Sequence, residues 1–196
     1  MKNRGFLLLI GFAVLILAVG LACSALSSTD GSTTSTSTGT STGSDLITFT
    51  DKNNYYQIDV PGNWKYSQTV DKTNNYYYLD QYKSPDENAL VENIAYDDGT
   101  AFVSSQNGKF ALYLLNTFYS NTGKEGDIKV IEDKIQNDGS DRLTWSSTGG
   151  GYSGVSYFEV RNKTTFLMFT VQWLDQYQSN YMDTLDKIIS SYRQPK

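Results

Sequence analysis

Apolar and polar residues alternate in seven segments of the chain after residue 44, and this pattern predicts β-strands. The segments are 55–60, 75–82, 89–96, 127–135, 142–147, 155–160 and 164–173. Alternation places successive side chains on opposite faces of a sheet, so Tyr56, Ile58 and Val60 fall on one face. Residues 165–173 are apolar on both faces, and we therefore expect other parts of the protein to cover both sides of this strand.

Two further segments repeat their apolar residues at helical spacing. The first begins after Asn107-Gly108, ends at 121–123, and carries a stripe of Phe110, Ala111, Leu114, Leu115 and Phe118. The second is the C-terminal segment, whose stripe contains Tyr181, Met182, Leu185, Ile188, Ile189 and Tyr192. Asp175 and Ser179 are the candidate N-cap residues of this second helix.

Turn signals connect the strands into hairpins. Pro61-Gly62 ends the strand 55–60, Asp138-Gly139 marks a tight turn, and residues 161–164 separate the last two strands. Hairpins pair their strands in antiparallel fashion. The sequence thus predicts an α+β fold, with helices packed on a mostly antiparallel sheet.

The first 22 residues have the composition of an export leader. A basic start is followed by an apolar run of about 17 residues, which ends at Cys23. Leu21, Ala22 and Cys23 resemble the lipobox of bacterial lipoproteins. The resemblance implies that residues 1–22 are removed and that the Cys23 thiol carries a diacylglycerol as a membrane anchor. The alternative is an uncleaved signal anchor, and both readings place the remaining chain outside the cytoplasm.

Residues 23–44 follow the leader as a linker. After Cys23 this segment is almost wholly Ser, Thr and Gly, and Asp30 is its only charged residue. Such a composition offers no apolar surface to offset the ordering entropy, and its root-mean-square reach is roughly 25 Å. We therefore expect a flexible tether over 23–44 and one folded domain over 45–196.

Composition removes several classes of function. The chain has 196 residues, no histidine and one cysteine. It therefore cannot form a Ser-His-Asp or Cys-His catalytic arrangement, a histidine-ligated metal site or an internal disulfide, and we expect no cofactor and no metal. The formal net charge is −5 and the lysines are scattered, which argues against nucleic acid as a partner.

Three short motifs resemble ligand sites when taken in isolation. Gly149, Gly151 and Gly154 spell G-x-G-x-x-G, but a strand follows them where a dinucleotide site needs a helix, so we interpret them as a hairpin loop. Residues 136–141 lack the acidic positions of an EF-hand loop and are interpreted as a hairpin turn. Asp97-Asp98-Gly99 is also interpreted as a turn.

Glycoside hydrolysis needs two carboxylates that face each other across a cleft. Asp59, Glu92 and Glu159 lie in predicted strands, and their spacing singles out no pair. We therefore expect no catalytic residue, and we keep a carboxylate-dependent hydrolase of cell-wall glycans as the alternative.

The segment NYYYLDQY, residues 75–82, gives the strongest signal for binding. Alternation assigns to one of its faces Tyr76, Tyr78, Asp80 and Tyr82. If the opposite face, with Tyr77 and Leu79, is core, the first face presents phenol rings and a carboxylate to sugar rings or to aromatic groups of a partner. The alternative is that these tyrosines pair across strands and stabilise the sheet.

The stretch YYQIDVPGNWKYS, with Pro61 and Trp64, and the closing stretch YMDTLDKIISSYR resemble the PsbP-like family. The resemblance covers residues 46–193. That family includes extrinsic subunits of photosystem II, a Ran-binding nuclear import factor and bacterial lipoproteins. The resemblance implies an α/β/α sandwich around an antiparallel sheet. It assigns no catalytic residue, and the histidines that bind metal in some members have no counterpart in this chain.

These patterns predict a lipid-anchored protein of a bacterial cell membrane whose domain works by binding outside the cytoplasm. The expected partners are membrane lipid, through Cys23, and an envelope protein or polysaccharide. A glycan hydrolase and a structural envelope protein without a ligand are the alternatives. The sequence indicates no oligomeric state.

Overall fold

The structure, a computed structural model, describes residues 45–71, 77–119 and 127–196. The predicted leader, Cys23 and the tether lie outside the described residues, and so does Tyr76. In the described ranges, no helix is both long enough and apolar enough to span a membrane.

Strands account for most of the regular structure in the described ranges. They are β1 (Leu46–Thr50), β2 (Gln57–Pro61), β3 (Lys65–Val70), β4 (Tyr77–Lys83), β5 (Ala89–Tyr96), β6 (Ile128–Ile135), β7 (Asp141–Ser147), β8 (Tyr152–Arg161) and β9 (Thr165–Leu174). The helices are α1 (Asn107–Tyr119) and α2 (Gln178–Ser191), each entered through a short 3-10 turn. The two helices and all seven strands expected from the sequence are present; β1 and β3 are additional.

The strands form two antiparallel sheets. β1 and β2 make a two-stranded hairpin, and the other seven strands form one sheet in the order β3-β4-β5-β9-β8-β7-β6. The long β8–β9 hairpin places β9 in the middle of this sheet, next to β5. β3 and β6 are therefore its edge strands.

Both faces of the seven-stranded sheet are covered. Helix α1 packs on one face, where Leu115, Trp145 and Phe166 are fully buried. The β1–β2 hairpin and α2 pack on the other face, around Ile58, Val171 and Ile188. Strand β9 is buried on both sides, as the apolar residues on both of its faces predict. The α+β fold, with helices on an antiparallel sheet, is thus confirmed.

The glycine motifs form hairpin connections in the structure. Gly139 has a φ of +87° in the turn between β6 and β7. Gly149 and Gly151 have φ values of +75° and +70° in the turn before β8, a conformation that glycine adopts without strain. Gly154 lies within β8, so the G-x-G-x-x-G stretch leads into a strand as expected.

The expected N-caps of α2 are wrong. No side chain caps this helix: Asp175 lies in the 3-10 turn that precedes it, and Ser179 lies inside the helix. The 3-10 turn runs directly into α2, and the Gln178 N–H bonds the Asp175 carbonyl. Since the turn supplies this backbone partner, the helix start does not depend on a side-chain cap.

Candidate functional site

A cleft of about 400 Å³ lies beside α2, over β8 and β9. Tyr157, Leu167 and Phe169 form its floor, because they share the sheet face that α2 covers only in part. Ile189 and Tyr192 line the cleft from the end of α2. The β6–β7 turn contributes polar residues at another side of the cleft. The volume lies within the range of about 300–1,000 Å³ that is typical of small-ligand sites.

Tyr192 is held by aromatic contacts on two sides. Its ring lies 4.8 Å from that of Phe169, and it stacks on Tyr56 of the neighbouring hairpin at 5.8 Å and an interplanar angle of 6°. Backbone hydrogen bonds between Gln57 and Arg193 fix the chain at this point, at 2.8 and 3.0 Å. Burial raises the pKa of the Tyr192 phenol, so it remains protonated and can donate a hydrogen bond.

The polar side chains of the cleft include carboxylates, which accept hydrogen bonds, and neutral groups, which can donate them. Asp138 accepts hydrogen bonds from the Ser140 hydroxyl and backbone N–H, at 2.7 and 3.0 Å, and the first of these lowers the Asp138 pKa most. Glu159 forms an ion pair with Arg161, whose Nε lies 2.8 Å from Glu159 Oε1. Among the described residues that line the cleft, Asp138 and Glu159 are acidic and none is Lys or Arg.

The expected tyrosine face is not an exposed surface in the described part of β4. Asp80 is 2% exposed and Tyr82 is 5% exposed, whereas Tyr78 is half-buried. The expectation of exposure fails because the β1–β2 hairpin covers this side of the sheet: Phe49 packs against Tyr82 at 5.2 Å between ring centroids. Tyr77 and Leu79 lie in the core under α1, as predicted.

Asp80 is the centre of a buried hydrogen-bond cluster. Its Oδ1 accepts from the Tyr66 hydroxyl at 2.6 Å and from Gln68 Nε2 at 2.8 Å. Its Oδ2 accepts from the Tyr56 hydroxyl at 3.1 Å. Tyr66 and Gln68 belong to β3 and Tyr56 immediately precedes β2, so the Asp80 carboxylate ties the hairpin to the sheet edge.

The structure does not bring Asp59, Glu92 and Glu159 together. Asp59 lies on β2, where Arg193 and Thr48 bind its carboxylate and lower its pKa. Glu92 is buried on the α1 face, and Glu159 lies on the opposite face at the cleft. No group of three Asp, Glu, Cys or His side chains in the described residues is arranged to hold a metal ion.

Comparison with known proteins places the fold. The sequence matches no family model and no curated protein. The solution structure of cyanobacterial PsbP, CyanoP, from Synechocystis sp. PCC 6803 matches at a TM-score of 0.56 and 13% identity, over 78% of this chain and 94% of that one. This chain has a PsbP-like fold. A crystal structure from Bacteroides thetaiotaomicron VPI-5482 matches at a TM-score of 0.40 and 13% identity, over 79% of this chain and 49% of that one.

The PsbP-like fold was predictable from the sequence, but the cleft was not. Its aromatic residues come from different elements: Tyr157 and Phe169 face each other only through the β8–β9 register, and Tyr192 follows α2. The one usable signal is the aromatic pair on the two strands of the last predicted hairpin.

Proposed function

We propose that this protein is a lipid-anchored, extracytoplasmic binding module, and that its PsbP-like domain binds an envelope carbohydrate in the cleft beside α2. The observation that carries the proposal is the composition of that cleft. Tyr157 provides partly exposed ring surface above the buried Phe169, and Asp138, Ser140 and Glu159 provide hydrogen-bonding groups next to it. A sugar ring has the same combination of an apolar face and a hydroxyl edge.

The negative charge of the residues that line the cleft indicates which carbohydrates it can bind. Its charged lining residues are Asp138 and Glu159, and Arg161 is already paired with Glu159. An anionic sugar would therefore meet negative charge without a free cation nearby, and like charges brought together cost free energy. Neutral and amino sugars are the expected ligands, and uronic acids are disfavoured.

Attachment to the membrane makes weak binding in the cleft sufficient to capture a glycan. With Cys23 in the membrane and a reach of roughly 25 Å along the tether, the domain samples a thin layer above the lipid. A domain confined to this layer has a raised effective concentration toward glycan in the same layer. A weak interaction in the cleft is then sufficient for capture.

Replacement of Tyr157 by alanine is expected to weaken sugar binding about tenfold, since one stacked ring contributes roughly 1 to 1.5 kcal/mol. Isothermal titration calorimetry of the full chain with chitotriose, its fully de-N-acetylated form and a galacturonic acid trimer measures this effect. The first two are expected to bind the unaltered protein, and the uronic acid is expected to bind at least about tenfold more weakly.

Tyr78→Ala is the matched control for this experiment, because Tyr78 is half-buried on the same sheet face but does not line the cleft. Equal binding by the Tyr157→Ala variant and the unaltered protein would contradict the cleft proposal. A loss confined to Tyr78→Ala would instead assign binding to the tyrosine row of β4. Shortening of the trimers during titration would favour the hydrolase.

The anchor has a separate test. Replacement of Cys23 by alanine is expected to release the protein from membranes or to stall it with its leader uncleaved, because the thiol that accepts the lipid is absent. Metabolic labelling with a fatty acid, followed by membrane fractionation, measures both outcomes. Fatty acid incorporation that persists in the Cys23→Ala variant would refute lipidation at this residue, and Ser24→Ala is the control.

A further inference from the structure

Asp51 is a buried carboxyl group in the loop between β1 and β2, with a side chain that is 3% exposed. Its Oδ2 accepts hydrogen bonds from the backbone N–H groups of Asn53 and Tyr55, both at 3.0 Å. Its Oδ1 is also buried but receives no hydrogen bond from any residue that the structure describes. A buried oxygen without a donor has lost the hydrogen bonds that water would supply, so this atom requires an explanation.

The Asp80 carboxyl lies within hydrogen-bonding range of Asp51. Asp80 already accepts from Tyr56, Tyr66 and Gln68, and each of these groups is a donor in this arrangement. Two ionised carboxylates in contact would repel each other strongly inside a protein. One proton on Asp51 would remove this repulsion and would let Asp51 donate a hydrogen bond to Asp80.

Among the described residues, the titratable side chains that face this pair are phenols, and Arg161 approaches from β8 through a hydrogen bond to the Tyr55 carbonyl. The phenols come from the loop before β2, from β3 and β4 and from the segment after α2, and are Tyr55, Tyr56, Tyr66, Tyr82 and Tyr192. Burial raises the pKa of each phenol, so all remain neutral at physiological pH. Neither carboxyl takes part in an ion pair found among the described residues.

We propose that Asp51 is protonated in the folded protein and donates a hydrogen bond to Asp80, and that this bond holds the β1–β2 hairpin against the seven-stranded sheet. The pair joins the two layers directly, because Asp51 belongs to the hairpin loop and Asp80 to β4. Loss of the proton leaves two adjacent negative charges and loosens the hairpin. Tyr56 of the same hairpin stacks on Tyr192, which lines the cleft. The hydrogen bond between Asp51 and Asp80 therefore also supports the wall of the cleft; this last consequence rests on the proposed function.

The direction of the pH effect follows from the environment of Asp51. Burial raises the Asp51 pKa above 3.8, the Tyr55 and Asn53 N–H groups oppose the rise, and the negative charge of Asp80 adds to it. A carboxyl whose pKa is raised by folding stabilises the folded state fully at pH below its unfolded value. This stability is lost as the pH rises through the folded pKa, so the hairpin is tight in acid and looser above that pKa.

Hydrogen exchange of the full chain tests this contact, in a Glu92→Gln background that removes the fully buried carboxyl of β5, whose pKa is also raised. The probes are the Asn53 and Tyr55 amides, which donate to Asp51. Their protection factors are expected to fall as the pH rises from the ordinary value of 3.8 through the raised Asp51 pKa, by up to about tenfold for each pH unit in that interval, because one pH unit changes a protonation equilibrium tenfold. The Asp51→Asn variant, whose amide donates permanently, is expected to show no such fall. Amides of the β8–β9 hairpin are the internal control.

An equal fall in Asp51→Asn would overturn the proposal. Carboxyl carbon NMR of the unaltered chain gives a second measurement: the Asp51 carboxyl is expected to titrate with a pKa above its ordinary value of 3.8, and an ordinary titration of Asp51 would also overturn the proposal. Asn93 lies beside Asp80, with a buried Oδ1 that no described residue bonds. If Ca²⁺, Mg²⁺ or Na⁺ restores protection at high pH and Asp51→Asn abolishes this effect, the carboxyls hold a cation and not a proton.

Discussion

Replacement of Glu92 by glutamine is expected to remove most of the stability loss that the unaltered protein suffers between about pH 4.5 and pH 7. Glu92 lies on β5 with a side chain that is 1% exposed. Its carboxylate accepts hydrogen bonds from the Tyr119 hydroxyl and from Gln81 Nε2. Burial raises the Glu92 pKa to about 7, because these two bonds and the charge of Lys83 only partly offset desolvation.

The sign and size of the effect follow from this shift. A carboxyl whose pKa rises on folding stabilises the protein fully below its unfolded pKa of about 4.5, and this contribution disappears as the pH passes 7. The difference corresponds to an effect on the order of 3 kcal/mol in the free energy of unfolding. Glutamine is neutral at every pH and keeps a similar shape, so its contribution should not change with pH.

Urea denaturation at pH 5 and pH 8 measures the effect as the difference in unfolding free energy between the two conditions. We expect the unaltered protein to be less stable at pH 8, and Glu92→Gln to retain only the dependence that Asp51 and Asp141, whose pKa values are also raised, contribute. Glu132→Gln is the control, since Glu132 is exposed on the edge strand β6. An unchanged difference in Glu92→Gln would show that Glu92 is ionised at no cost to the fold.

Alternation was sufficient to predict strands that have one face or both in the core, and it failed where this contrast is weak. β1 exposes most of its side chains, and β3 is a polar edge strand, so neither has a clear apolar face. β1 belongs to the hairpin that covers β4, and β3 is the edge strand next to β4. Because they were missed, the row with Asp80 and Tyr82 was expected to be exposed.

Register explains why the functional residues were harder to predict than the fold. The position of Tyr157 opposite Phe169 depends on the turn at 162–164, where Asn162 and Lys163 adopt φ values of +51° and +68°. A shift of one residue would move Tyr157 to the opposite face of the sheet. A hydrophobic pattern predicts which segments are strands, but contacts between chosen side chains depend on pairings that span many residues.

Gly154 shows how packing, and not ligand binding, can require a glycine. A Cβ atom at this position would lie 2.4 Å from Trp145 Cζ2 and 2.8 Å from the Val171 carbonyl oxygen, well inside van der Waals contact. Trp145 is fully buried, and its indole N–H donates to Ser156 Oγ at 3.0 Å. Val171 belongs to the central strand β9. Neither neighbour can move without disturbing the core.

We therefore expect Gly154→Ala to destabilise the protein by about 3 kcal/mol or more, and to lower its melting temperature by roughly 10 °C. Thermal unfolding followed by circular dichroism measures the change. Gly108→Ala is the control, because nothing lies within 4 Å of a Cβ at that position in α1, and alanine there should leave stability equal or slightly higher.

A double-variant cycle separates the two sources of the clash. Trp145→Phe removes the ring atoms that approach Gly154 but leaves the Val171 carbonyl in place, so Gly154→Ala should cost less in that background than in the unaltered protein. If the cost is unchanged, the backbone of β9 is the main obstacle. If Gly154→Ala is harmless in both backgrounds, the close approach of β8 to Trp145 is not what requires glycine there. The G-x-G-x-x-G stretch would then lack the packing explanation for its last position.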